Sequence, residues 1–172
     1  GESGNATIRV TDATAAGGKH ALKFVDEADL AQSFHPMIEY KLNCRQGACR
    51  GSFDFRHEAG FLFSYEWRDS ARPYHTGPAL RIEPNGDVKV GKNKLLTVPA
   101  GQWVHFDLVC GLGRAATGTY DLEITLPGQK PQRFAGLACG KDFNRLQNLL
   151  LIAAGTKPGV AYVDNLRITP EK

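Results

Sequence analysis

The sequence is short of most things that would mark a membrane, nucleotide-binding or nucleic-acid protein. No apolar run reaches the length of a bilayer-spanning helix. No Rossmann or P-loop glycine pattern occurs, no helical periodicity is sustained long enough to build a core, and no repeat of fixed length appears. Excess charge is also scarce: the net charge is +3 over 172 residues. The lysines and arginines are interleaved with acids rather than gathered into the basic stripe that nucleic acid requires. No C-x-x-C spacing is present, which argues against zinc. No signal peptide is visible, and the opening Gly-Glu-Ser-Gly has the look of an excised domain or a mature form. The expectation is one domain, residues 1–172, cut from a larger secreted protein.

What the chain does have is two-residue alternation. In Ser52–Arg56 and Phe61–Asp69, the residues Phe53, Phe55, Phe61, Phe63, Tyr65 and Trp67 share one parity; Ser52, Asp54, Arg56, Ser64, Glu66 and Arg68 share the other. Successive side chains of a strand point to opposite faces, so these are strands with one aromatic face and one charged face. An antiparallel hairpin turning at Glu58-Ala59-Gly60 is the expected connection. The same alternation runs through Met37–Leu42, Pro78–Glu83, Gln102–Cys110 and Thr119–Leu126. Pro84-Asn85-Gly86-Asp87 is a strong turn. Leu149–Ala154 is apolar throughout, as in a central strand covered on both sides. Single helical turns are expected within Asp26–Ser33 and Asp142–Gln147. A hydrophobic content of 42% and a charged content of 23% suit one globular domain. About a dozen short strands separated by turns predict an all-β fold: a two-sheet antiparallel β-sandwich, a jelly roll in particular.

Four cysteines allow three connectivities. The expected pairs are Cys44–Cys49, across a tight turn, and Cys110–Cys139; a buried free thiol is the other reading of Cys110, which lies on the inward parity. Disulfides would imply a secreted or extracytoplasmic home.

Gly17-Gly18-Lys19-His20-Ala21-Leu22-Lys23-Phe24 stands near the start. Gly101–Leu108 and Gly118–Ile124 lie in the middle, and Ala161-Tyr162-Val163-Asp164-Asn165-Leu166-Arg167-Ile168 closes the chain. Together these resemble the concanavalin A-like lectin/glucanase family of jelly rolls, in particular accessory carbohydrate-binding domains of secreted bacterial proteins. The resemblance implies the sandwich and a polysaccharide partner, with no nucleic acid or membrane partner. It also implies contact with other domains of a parent protein and a monomeric state. In many such modules a structural calcium ties the first strands to the last; carried over, that nominates Asp164, the Lys19 carbonyl and Asp12 as ligands. The Glu-x-Asp-x-x-Glu strand of the family's glucanases is absent. So are the Gln-x-His and Tyr-x-Lys-x-Gly-x-Tyr patterns of its alginate-lyase relatives.

If the polar parities line one sheet, that face presents Arg56, Glu66, Arg68, Arg81, His105 and Asp107, with Trp103 beside them and Arg72, Tyr74 and His75 in a loop at its rim. Guanidinium forks bind carboxylate or sulfate through two parallel hydrogen bonds, and aromatic rings stack on sugars. Cross-strand ion pairing that merely solvates the outer face is the competing account. The functional reading is non-catalytic binding of an acidic or sulfated polysaccharide. The alternative is a polysaccharide lyase or glycoside hydrolase, with His105, Tyr65 and Arg68 as a lyase set or paired carboxylates such as Glu66 with Asp54 or Asp107. A structural or protein-contact domain is the third.

Overall fold

The computed structural model describes residues 1–171 and is all-β. Its strands are β1 (Thr7–Thr11), β2 (Ala21–Asp26), β3 (Met37–Cys44), β4 (Gly47–His57), β5 (Phe63–Arg68), β6 (Thr76–Ile82), β7 (Asp87–Val90), β8 (Asn93–Thr97), β9 (Val104–Leu112), β10 (Thr119–Thr125), β11 (Gln132–Ala138), β12 (Leu146–Ala153) and β13 (Gly159–Glu171). They form a seven-stranded sheet in the order β1-β2-β13-β4-β9-β10-β11 and a six-stranded sheet in the order β3-β12-β5-β6-β7-β8. All pairings are antiparallel. This is the two-sheet jelly-roll sandwich that the alternation predicts. The helical turns expected near residues 26–33 and 142–147 do not form. The one helical element among the described residues is a single 3-10 turn, Gly113–Ala115.

The aromatic parity is the core. Phe53, Phe63, Tyr65, Trp67 and Phe106 are fully buried, and Phe55 and Phe61 nearly so. The predicted hairpin, however, is wrong. β4 pairs with β9 and β13, whereas β5 pairs with β6 and β12, so the chain crosses from one sheet to the other at residues 58–62. The reason is geometric. Neighbours in one sheet would present their aromatic faces side by side, with nothing opposite. Strands in opposed sheets bury each face against the other, and Phe53 stacks on Tyr65 at 4.6 Å and Phe55 on Phe63 at 4.6 Å. Gly51 leaves the room that the Trp67 indole and Tyr65 hydroxyl fill; a Cβ there would sit 2.7 Å from each. The two buried polar atoms satisfy one another, the indole N–H donating to Tyr65 Oη at 2.7 Å. β12 is covered on both faces, as its unbroken apolar run predicts: Leu149 through Ala153 are all buried.

The expected disulfides are not present, and all four cysteines are free thiols. The expected partners are nonetheless neighbours: Cys110 Sγ lies 3.8 Å from Cys139 Sγ. Burial and the adjacent Cys44 push the Cys49 thiol up to about 12. Cys49 in turn faces Cys110 across β4 and β9, so the four thiols gather at one end of the sandwich.

Two inward strand residues, Asp26 and His57, break the apolar pattern. His57 is buried, its Nδ1 bonded to the Glu58 carbonyl at 3.0 Å and its Nε2 without a partner among the described residues. Burial lowers its pKa below the usual 6.5. The unfolded chain therefore binds a proton there that the folded chain resists. Stability contributed at neutral pH is lost as the pH falls below 6.5 toward the lowered folded value. A His57→Leu variant is expected to show a flatter stability curve between pH 7 and pH 5 than the parent in urea titrations. A parallel dependence in the two proteins would remove this assignment.

Candidate functional site

The sheet crossing divides the nominated residues. Arg56, His105 and Asp107 lie on the outer face of the seven-stranded sheet, with Trp103 one residue before β9. Glu66, Arg68 and Arg81 lie on the outer face of the six-stranded sheet, on the other side of the core, with Arg72, Tyr74 and His75 in the loop joining β5 to β6. The expected Arg56/Arg68/Arg81 surface is therefore two surfaces. The lyase set disperses for the same reason: Tyr65 is fully buried and His105 stands on the sheet opposite Arg68. Glu66 is likewise on the opposite side from Asp54 and Asp107.

On the seven-stranded face the strand arginines other than Arg167 are neutralised by carboxylates. Arg50 grips Asp107 through both oxygens at 3.0 and 3.1 Å and also reaches Glu171 at 3.0 Å. Arg133 pairs with Asp121 at 2.7 Å and Arg56 with Glu58 at 3.2 Å. Beside these pairs, Asp54 accepts hydrogen bonds from both sides, from His105 Nδ1 at 2.7 Å and from Asn165 Nδ2 at 2.6 Å. The Arg56 guanidinium sits 5.6 Å from the centre of the Tyr162 ring, and Trp103 lies 6.4 Å from that ring. Tyr162 was not among the residues that alternation nominates; its cross-strand position opposite Arg56 is visible only once β13 is seen to pair with β4.

The calcium nominees are also on this side. Asp164 directs Oδ2 at the backbone N–H groups of Ala16 (2.8 Å) and Gly17 (3.0 Å), and Oδ1 at that of Asn165 (2.7 Å). Three N–H donors occupy lone pairs of this carboxylate that a cation approaching from the same directions would need. No group of three or more His, Cys, Asp or Glu side chains suited to a metal occurs among the described residues. Of the three nominees, Asp164 thus has its carboxylate engaged by backbone donors.

On the six-stranded face the arrangement is different. Glu66 holds the Arg68 Nε at 2.8 Å, and the Arg68 guanidinium lies over the Tyr74 ring, 4.1 Å from its centre. Such a contact is an ordinary cation–π pair, but it leaves the ring's second face outward. Tyr74 is 51% exposed, one of three large apolar or aromatic side chains exposed among the described residues; the others, Val10 and Phe34, stand on other elements. The loop that carries it is fixed by Asp69. One carboxylate oxygen accepts the N–H groups of Ala71 (3.1 Å) and His75 (2.8 Å), and the other meets His75 Nδ1 at 2.6 Å. Burial opposes ionisation of Asp69, yet these hydrogen bonds outweigh it and hold the carboxyl below the usual range. Arg81 shares Glu83 with Lys89 (3.3 and 3.2 Å). A groove of about 570 Å³ opens beside the loop, lined by Ser70, His75, Asn144, Arg145 and Gln147 among others. Of these, only His75 is nominated by the sequence; Ser70 shares its loop, Asn144 and Arg145 come from the connection between β11 and β12, which carries no periodic signal, and Gln147 from the start of β12.

No protein-family model matches the chain, and no curated protein matches it. Solved structures do. The endo-β-1,4-glucuronan lyase of the fungus Trichoderma reesei superposes with a TM-score of 0.70 at 14% identity, over 98% of this chain and 88% of that one. The PL-14 alginate lyase of Aplysia kurodai gives 0.66 at 11% identity, over 95% and 87%. Cip1, a cellulose-induced protein, gives 0.63 at 12% identity, over 99% and 88%. At such identities the likeness extends to the jelly-roll fold.

Proposed function

We propose that this domain binds a polysaccharide without cleaving it, on the outer face of the six-stranded sheet, with Tyr74 as the stacking platform. The observation that carries the proposal is the Glu66–Arg68–Tyr74 stack. A carboxylate fixes a guanidinium, the guanidinium fixes one face of an aromatic ring, and the other face meets solvent. A ring held in place before a sugar arrives loses little conformational freedom on binding. The amides of Asn144 and Gln147 in the adjoining groove offer donors and acceptors suited to hydroxyl groups. Two of the structures sharing the fold are named for uronic-acid polymers, which supports a polysaccharide as the ligand class.

The alternative is a lyase. The observation in its favour is the His105–Asp54 pair, in which Asp54 fixes the ring through Nδ1 and leaves Nε2 for proton transfer. A contact domain finds less support, because the exposed large apolar side chains among the described residues are scattered rather than joined in a patch.

Binding of a glycan panel to the parent, Tyr74→Phe and Tyr74→Ala tests the proposal. Tyr74→Phe is expected to bind like the parent and Tyr74→Ala to lose roughly tenfold or more in affinity, about 1.4 kcal/mol, with no unsaturated or reducing-end product from any of the three. Full binding by Tyr74→Ala would discard the platform. Unsaturated product that disappears in His105→Ala would establish the lyase instead.

A further inference from the structure

We infer that the end of the sandwich beside Tyr74 is an anion-recognition rim, selecting glycans that carry carboxylate or sulfate groups; this rests on glycan binding at Tyr74. Four connections meet at that end: residues 45–46, 69–75, 113–118 and 139–145. Their contacts are direct. The Gly113 N–H donates to the Asn144 carbonyl at 2.7 Å, and a Cβ on Gly113 would lie 2.5 Å from the Arg45 carbonyl. The Gly140 N–H donates to the Thr76 carbonyl at 2.7 Å, and the Ser70 N–H to Gln147 Oε1 at 3.1 Å.

These connections hold five cationic side chains, Arg45, Arg72, Arg114, Lys141 and Arg145, against two carboxylates, Asp69 and Asp142; that difference equals the net +3 of the whole chain. The remainder of the protein is electrically balanced, and the imbalance is concentrated here. All five cations are exposed. Arg50, Arg56, Arg68, Arg81 and Arg133 each have a carboxylate within 4 Å. The rim arginines have none among the described residues; Arg167, on a strand, shares that state without belonging to the rim. Two of the rim arginines are instead oriented by neutral groups. Arg45 Nε donates to Asn43 Oδ1 at 2.6 Å and Arg145 Nε to Asn144 Oδ1 at 3.1 Å. An amide oxygen positions a guanidinium without cancelling its charge. Both terminal nitrogens remain for the two-pronged recognition of carboxylate or sulfate that makes arginine the preferred anion receptor. The anion selectivity that alternation assigns to Arg56, Arg68 and Arg81 thus moves to residues with unneutralised charge.

The test uses alginate and chondroitin sulfate oligosaccharides beside their carboxyl-reduced and desulfated counterparts, at low and at raised salt. The proteins are the parent, Arg45→Gln/Arg114→Gln/Arg145→Gln and Tyr74→Ala. The parent is expected to prefer the anionic forms at least tenfold at low salt, and to lose that preference as salt rises. The triple variant, whose changes are all exposed, should melt with the parent and bind anionic and neutral forms alike. Tyr74→Ala should weaken both forms together. Retained anion preference in the triple variant overturns the rim while leaving the Tyr74 platform standing. Unchanged binding by Tyr74→Ala removes the platform on which the rim depends. Equal affinity of the parent for single-stranded DNA of matched charge would overturn glycan selection.

Discussion

Phe53→Ala is expected to cost about 3–5 kcal/mol of folding stability, a large fraction of what a domain of this size possesses. Phe53 is fully buried at the middle of β4. Its ring stacks on Phe106 of the neighbouring strand at 4.9 Å and on Tyr65 of the opposite sheet at 4.6 Å, and it packs against Phe63 at 6.4 Å. Truncation leaves a cavity between the sheets that three rigid rings cannot close by changing rotamer, so the loss lies toward the upper end. Urea denaturation measures it directly, and Phe53→Leu, which refills part of the volume, should recover a substantial part. A change within 1 kcal/mol would mean that the two sheets are not held together through this residue.

Gly77→Ala is the second large effect, and it connects the core to the rim. A Cβ on Gly77 would lie 2.3 Å from the Phe143 ring, nearer than any real contact, and Phe143 is buried. Phe143 is the plug that seats the connection carrying Lys141, Asn144 and Arg145. The added methyl must expel the ring or displace β6, at an expected cost of about 1–3 kcal/mol. It should also weaken binding of anionic oligosaccharide, because the rim loses its geometry. Phe143→Ala destabilises on its own, but added to Gly77→Ala it should cost much less than the two separate losses combined, since both changes act at one contact. Strict additivity in a double-mutant cycle would show that the residues do not meet.

The core was legible because alternation records which side chains point inward, and Phe53, Phe55, Tyr65 and Trp67 all do. Alternation does not record which sheet a strand joins. A strand pair and a strand crossing between sheets have the same parity, and the choice rests on which strands pair with β4 and β5, among them β9, β12 and β13 far along the chain. The misplaced Arg56/Arg68/Arg81 surface follows from that one ambiguity. Charge density along a strand was readable too, but not its neutralisation: Asp107, which quenches Arg50, is fifty-seven positions distant. Arg72, Tyr74 and His75 were found together because they are adjacent in the chain. Arg45, Arg114 and Arg145 share their neighbourhood only through the order of the strands. The helical turn expected at 142–147 has a similar origin. Phe143 and Leu146 stand three apart, as on one helix face, but the first fills the space left by Gly77 and the second begins β12.

The strand order also bears on how the chain can mature during synthesis. β12 lies between β3 and β5, and β13 between β2 and β4. Each sheet therefore receives an interior member from the last quarter of the polypeptide. While the ribosome still holds those residues, β2, β3, β4 and β5 each expose an unpaired edge, and edges of that kind invite pairing with other chains. Contacts between residues so distant in sequence also form slowly. The nascent chain thus has its longest aggregation-prone interval before β12 and β13 are made, and neither sheet can close until they emerge.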